Sequence, residues 1–160
     1  MAEDRQGNER IDRAERIVAA PPAAVYRALT DGEVLEAWLP PEGMGGRIEN
    51  FDPRLGGGFR MVLTYGESDA GHGKTSETTD VTEVRFDELV PGERVVQSVD
   101  FDSDDPAFLG TMIMTWRMEP VPQGTRVTIE ATGVPPGIRA EDHEVGLRSS
   151  LANLAGHVEP

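Results

Sequence analysis

Residues 139–159, RAEDHEVGLRSSLANLAGHVE, decide how the rest of the chain is read. Leu147, Leu151, Leu154 and Val158 fall at i, i+4, i+7 and i+11, a single helical stripe, while Glu141, Asp142 and Glu144 load the helix start with charge that suits its dipole. A helix with one oily stripe must lay that stripe against another layer. The segments before it supply one.

Upstream, GGRIENF (45–51) is a short strand. GGFRMVLTY (57–65) alternates with period two, placing Phe59, Met61, Leu63 and Tyr65 on one side and Arg60, Val62 and Thr64 on the other. TDVTEVRFDEL (79–89) puts Val84 and Phe86 together, and Pro91-Gly92 turns the chain into ERVVQSVDF (93–101). GTMIMTWRMEP (110–120) sets Met112, Met114, Trp116 and Met118 on one face. The turn signal PQGT (122–125) leads into RVTIEAT (126–132), with Val127, Ile129 and Ala131 together. Strands joined by short turns pair antiparallel as a meander. Their oily faces need the C-terminal helix as cover, so the fold class expected is α+β, with six to seven strands wrapped on one long helix.

Before the meander, IDRAERIVAAP (11–21) reads as a first strand, with Ala14, Arg16 and Val18 in one phase. PPAAVYRALTDGEVLEAWLPP (21–41) reads as two short helices. Pro21 and Pro22 suit a first helical turn, Thr30-x-x-Glu33 has the form of a capping box, and Pro40-Pro41 stops the second helix. Residues 1–10 are polar and expected to be flexible, leaving 11–160 as one domain, a size that can bury about 70% of its unfolded surface.

The order of these pieces resembles the START-like, or helix-grip, superfamily, and within it the branch named after the activator of the heat-shock chaperone ATPase. The resemblance rests on IVAAPPAAVYRALTDGEVLEAWLPP (17–41), FDPRLGGGFRM (51–61), EVRFDELVPGERVV (83–96), GTRVTIEATG (124–133) and GLRSSLANLAGHVE (146–159). One departure is visible: relatives often carry Gly-Trp where this chain has Gly146-Leu147. The resemblance implies a curved sheet gripping the C-terminal helix around an apolar cavity that holds a lipid, a polyketide or a similar small molecule. It also implies two alternatives: a co-chaperone acting through its surface, or a small cyclase or dehydratase using the same cavity. Fold analogy transfers the pocket and not a reaction.

Composition bounds these readings. With 15 basic against 29 acidic residues the net charge is −14, which disfavours nucleic acid and anionic membrane surfaces, since both are bound through Lys and Arg. There is no cysteine, hence no disulfide, thiol nucleophile or thiolate metal site. The charged N-terminus is not a signal peptide and no run approaches a membrane span, so a cytoplasmic location is expected. Residues 66–105 hold twelve acids and three bases, net −9, either a solubility surface or a face that steers a basic partner.

The expected cavity wall is Phe59, Met61, Leu63, Met112, Met114, Trp116, Leu147 and Leu151, with Tyr65 and His143 as polar handles. Methionine suits a wall that receives variable apolar ligands, although a methionine stripe is more often ordinary core. His143 lies one turn before Leu147 and so points toward the cavity entrance, although a first-turn histidine is more often solvated. Three scattered histidines argue against a metal site. GHGKT (71–75) lacks the leading glycine and the following helix of a phosphate loop, and DFDSDD (100–105) lacks the turn glycine and closing Glu of a calcium loop. No Ser, His and Asp set can be assembled from spacing, so no catalytic residue and no cofactor is named, and the chain is read as a binder rather than an enzyme. The partners expected are a small hydrophobic molecule and, through the surface or an edge strand, a chaperone or a second copy of the chain.

Overall fold

The computed structural model describes residues 10–39, 45–64, 79–103 and 105–160. In chain order they form β1 (Ile11–Val18), α1 (Pro22–Thr30), α2 (Gly32–Trp38), β2 (Gly45–Glu49), β3 (Gly58–Thr64), β4 (Thr79–Val90), β5 (Arg94–Phe101), a single 3-10 turn (Pro106–Phe108), β6 (Met112–Val121), β7 (Gly124–Thr132) and α3 (Ala140–Val158). All neighbouring strands pair antiparallel in the order β1-β7-β6-β5-β4-β3-β2, so β2 to β7 are a meander and β1 joins at the far side of β7. This is the helix-grip arrangement expected from the sequence.

Alternation decides which residues turn toward the helices. Across the sheet, Val84 pairs with Val99, Val99 with Met112, and Trp116 with Ile129, so the buried apolar positions form one continuous inner face. A bulge between Phe86 and Glu88 lets both Phe86 and Leu89 stay on that face, opposite Gln97 and Val95. The outer face carries crossed ion pairs instead, such as Arg60 with Glu83 and Arg126 with Glu119. Two glycines permit the tight ends of the sheet: a Cβ on Gly58 would stand 1.9 Å from Val84 O, and one on Gly124, with φ of 144°, would stand 2.1 Å from Val18 O.

The helices close the inner face unevenly. α1 buries Val25, Ala28 and Leu29, α2 buries Leu35 and Trp38, and α3 buries Leu147, Leu151, Leu154 and Ala155 beside β1. Trp38 Nε1 donates to Ala28 O at 2.9 Å, which locks α2 to α1. At the other end of α3, Glu159 accepts from Ala19 N at 2.9 Å, fixing the chain's end beside the exit of β1.

Local readings hold with one correction. The second helix is not capped by Thr30. Thr30 ends α1, its hydroxyl donating to Tyr26 O, and Asp31 caps α2 by accepting from Glu33 N and Val34 N at 3.1 and 3.4 Å. With one residue between the helices, the carboxylate at the extended position wins, as aspartate is a strong N-cap. In β1, Asp12, Ala14 and Val18 turn inward while Arg16 is exposed.

Candidate functional site

The expected wall residues divide into two groups along the inner face. Phe59, Met112, Trp116, Leu147 and Leu151 are buried and belong to the continuous core. Trp116 meets Trp38 edge to face at 5.9 Å, and Phe51, Phe59 and Phe86 make a second aromatic cluster, so the half of the face beneath α1 and α2 is filled. Met61, Leu63 and Met114 are only half-buried. Tyr65 lies outside the described residues, as does GHGKT. Met61 and Leu63 share β3, whereas Met114 lies on β6, two strands beyond β4, between the buried Met112 and Trp116.

At the start of α3 a hollow of about 470 Å³ opens, lined by Phe101 from the end of β5, Phe108 from the 3-10 turn, Ile138 and Arg139 from the loop before α3, and Asp142, His143 and Gly146 of α3 itself. It has three structural causes. Asp105 caps the 3-10 turn by accepting from Ala107 N at 2.9 Å, Gly137 N donates to Ala107 O at 2.6 Å, and Gly146 has no side chain to fill the space. The first of these accounts for one carboxylate of the acidic DFDSDD segment. Two more are occupied as well: Asp100 accepts from the Thr111 hydroxyl, and Asp102 lies 3.5 Å from Arg60. No group of three or more His, Asp or Glu among the described residues is placed to hold a metal.

His143 is half-buried rather than solvated, because β1 brings Asp12 beneath it. Nδ1 of His143 lies 2.7 Å from Asp12 Oδ2, and the same carboxylate is gripped by Arg10 through Nε at 2.9 Å and a terminal nitrogen at 2.7 Å. Burial alone would raise the Asp12 pKa, but the hydrogen bonds from Arg10 and His143 outweigh it and hold the carboxyl below its ordinary value. Sequence reasoning passed over Asp12. The signal was present: it stands in the inward phase of β1 with Ala14 and Val18, and an acid in an apolar phase needs a partner.

Of the other hollows, one of about 300 Å³ is bordered by Ile11, Asp12 and Arg13 of β1 and by Ala140, Glu141 and Glu144 of α3. A groove of about 640 Å³ between α1, α2 and the end of β2 is bordered by Arg27, Glu33, Glu36, Ile48 and Phe51, but Glu36 already accepts from Ile48 N and Asp31 is the helix cap. On the outer face, about 390 Å³ lies among Arg60, Glu83, Arg85 and Asp100, where Arg60 and Glu83 pair with each other.

Residues 19–159 match the family model described as activator of Hsp90 ATPase homolog 1-like protein. Among solved structures the chain is similar to protein CV1439 from Chromobacterium violaceum, at 35% identity over 94% of this chain and 98% of that one, with a TM-score of 0.81. It also resembles protein Mll3558 from Rhizobium loti, at 26% identity over 93% and 96% of the two chains, TM-score 0.73. Protein MLL2253 from Mesorhizobium loti, at 23% identity over 92% and 96%, TM-score 0.67, shares the fold. No curated protein matches.

Proposed function

This chain belongs to the activator of Hsp90 ATPase homolog 1-like family, and on that premise we propose that it holds a small hydrophobic molecule between the inner face of the sheet and α3. The observation that carries the reading is the uneven closure of that face. Met61, Leu63 and Met114 are only partly buried on that face, and a hollow bordered by Phe101, Phe108 and Ile138 opens at the helix start. Its 470 Å³ falls within the roughly 300–1,000 Å³ of small-molecule sites. Binding free energy would come mainly from removing ligand surface from water, about 25 cal/mol per Å² before the costs of ordering.

Native mass spectrometry of the full chain tests this. The expected result is a retained apolar adduct that leaves on gentle activation, or uptake of an added naphthalene ether that quenches the fluorescence of Trp116 or Trp38. A protein that retains no adduct and takes up no apolar probe would overturn the reading. The family description also points to a chaperone ATPase. Stimulation of that ATPase by the chain, unaffected by a filled cavity, would transfer the function to the surface.

A further inference from the structure

We propose that His143, held in place by Asp12, is the polar point of the hollow at the start of α3 and selects, among apolar molecules of fitting size, those that carry a hydroxyl group. The inference deepens the cavity reading and rests on it.

The geometry of the imidazole is settled from one side. Asp12 takes Nδ1 at 2.7 Å and is itself clamped by Arg10, so the ring cannot turn without breaking a charge-assisted contact that is mostly out of water. His143 N also donates to Arg139 O, so the backbone beneath the ring is helical from that residue on. In the neutral ring, a carboxylate at Nδ1 draws the proton to that nitrogen and leaves Nε2 as a lone-pair acceptor. Nε2 has no partner among the described residues, and the ring borders the hollow.

The surroundings indicate what that lone pair meets. Phe101, Phe108 and Ile138 make the floor apolar, so a partner for Nε2 must arrive on an otherwise oily molecule. Asp12 beneath the ring is paired with Arg10, Arg139 is paired with Glu141 at 3.2 Å, and Asp142 adds one carboxylate to the border of the hollow. Such a border, with each arginine already paired, disfavours an anion. A neutral hydroxyl, as on a phenol, an enol or a fatty alcohol, donates its proton to Nε2 and brings no net charge into the hollow. The ordinary alternative is a contact that merely pins α3 to β1. That role needs Nδ1 and makes no use of Nε2.

Paired probes separate the two. Binding of 2-naphthol and of its methyl ether to the full chain is measured by calorimetry, for the wild type and for His143→Phe. The expected result is that naphthol binds wild type about tenfold tighter than the ether, the strength of one net hydrogen bond. The preference should disappear in His143→Phe, which has no acceptor, while the ether's affinity holds. Equal binding of the two probes to wild type, or an equal loss of both in the variant, would overturn the proposal and leave the cavity reading standing. Failure of both probes to bind wild type would overturn the two together. Should the variant unfold, the 15N shifts of the wild-type imidazole decide: saturating naphthol is expected to move Nε2 and leave Nδ1 in place, and an unmoved Nε2 would count against the proposal.

Discussion

Trp38 of α2 and Trp116 of β6 meet edge to face, their ring centroids 5.9 Å apart and their planes at 85°. Each indole is also anchored by its nitrogen, Trp38 on Ala28 O at 2.9 Å and Trp116 on Gln97 Oε1 at 3.2 Å. This pair packs α2 onto the inner face, and neither ring borders the hollow at the start of α3.

Removing one ring should therefore cost folding stability rather than ligand affinity. Trp116→Ala is expected to destabilise by about 3–5 kcal/mol, the usual range for a large aromatic in a packed core. Urea unfolding followed by circular dichroism checks it. A loss below about 1 kcal/mol would mean that the inner face is loosely packed there too.

Met114 lies on the inner face between Met112 and Trp116, half-buried where both of those are buried. Met114→Trp should fill the uncovered part of the face and weaken uptake of an apolar probe by about tenfold or more, 1.4 kcal/mol, with the thermal midpoint little changed. Unchanged uptake in a folded variant removes Met114 from the wall.

The Asp12 carboxyl sits below its ordinary value when folded, so the sign of its contribution is set. Its stabilisation is complete above the unfolded value of about 3.9 and fades as pH falls through the lower, folded value. Asp12→Asn is expected to lose about 1.5–3 kcal/mol at neutral pH, the range for a hydrogen bond to a charged group. The gap between wild type and variant should narrow below about pH 4. Denaturant midpoints measured from neutral pH to pH 3 test this, and a gap that stays constant through acid would show that Asp12 is not held as a carboxylate.

Two glycines should respond in opposite directions. Gly124→Ala forces a Cβ onto Val18 O at a positive φ, and is expected to destabilise by more than about 1 kcal/mol. Gly156 stands in α3 with nothing within 4 Å of a built Cβ, so Gly156→Ala should stabilise by about 0.5–1 kcal/mol. Thermal melts of the pair check both signs, and a destabilised Gly156→Ala would mean that α3 does not run as a regular helix there.

The parts of the fold legible in the sequence are those set by local periodicity. The stripe Leu147, Leu151 and Leu154 became the buried face of α3, and the phases read in β3, β6 and β7 became the inner face. The misread cap at Thr30 has a local cause as well, since two adjacent residues, Thr30 and Asp31, both suit an N-cap and only the backbone turn chooses between them. The candidate site was less legible. Phe59 and Met61 share a strand and a phase, yet one is buried in the aromatic cluster and the other only half-buried, because Phe51 and Phe86 pack against the first.

The sequence by itself determined the elements, their order and the oily side of each, because side-chain period follows directly from backbone geometry. Only the tertiary structure decided where that oily side stays uncovered and which polar groups meet there. Asp12 and His143 are 131 positions apart, and no period relates them. They touch because β1 returns to pair with β7 while α3 lies beside β1, so the contact is a property of sheet order and helix placement rather than of either segment.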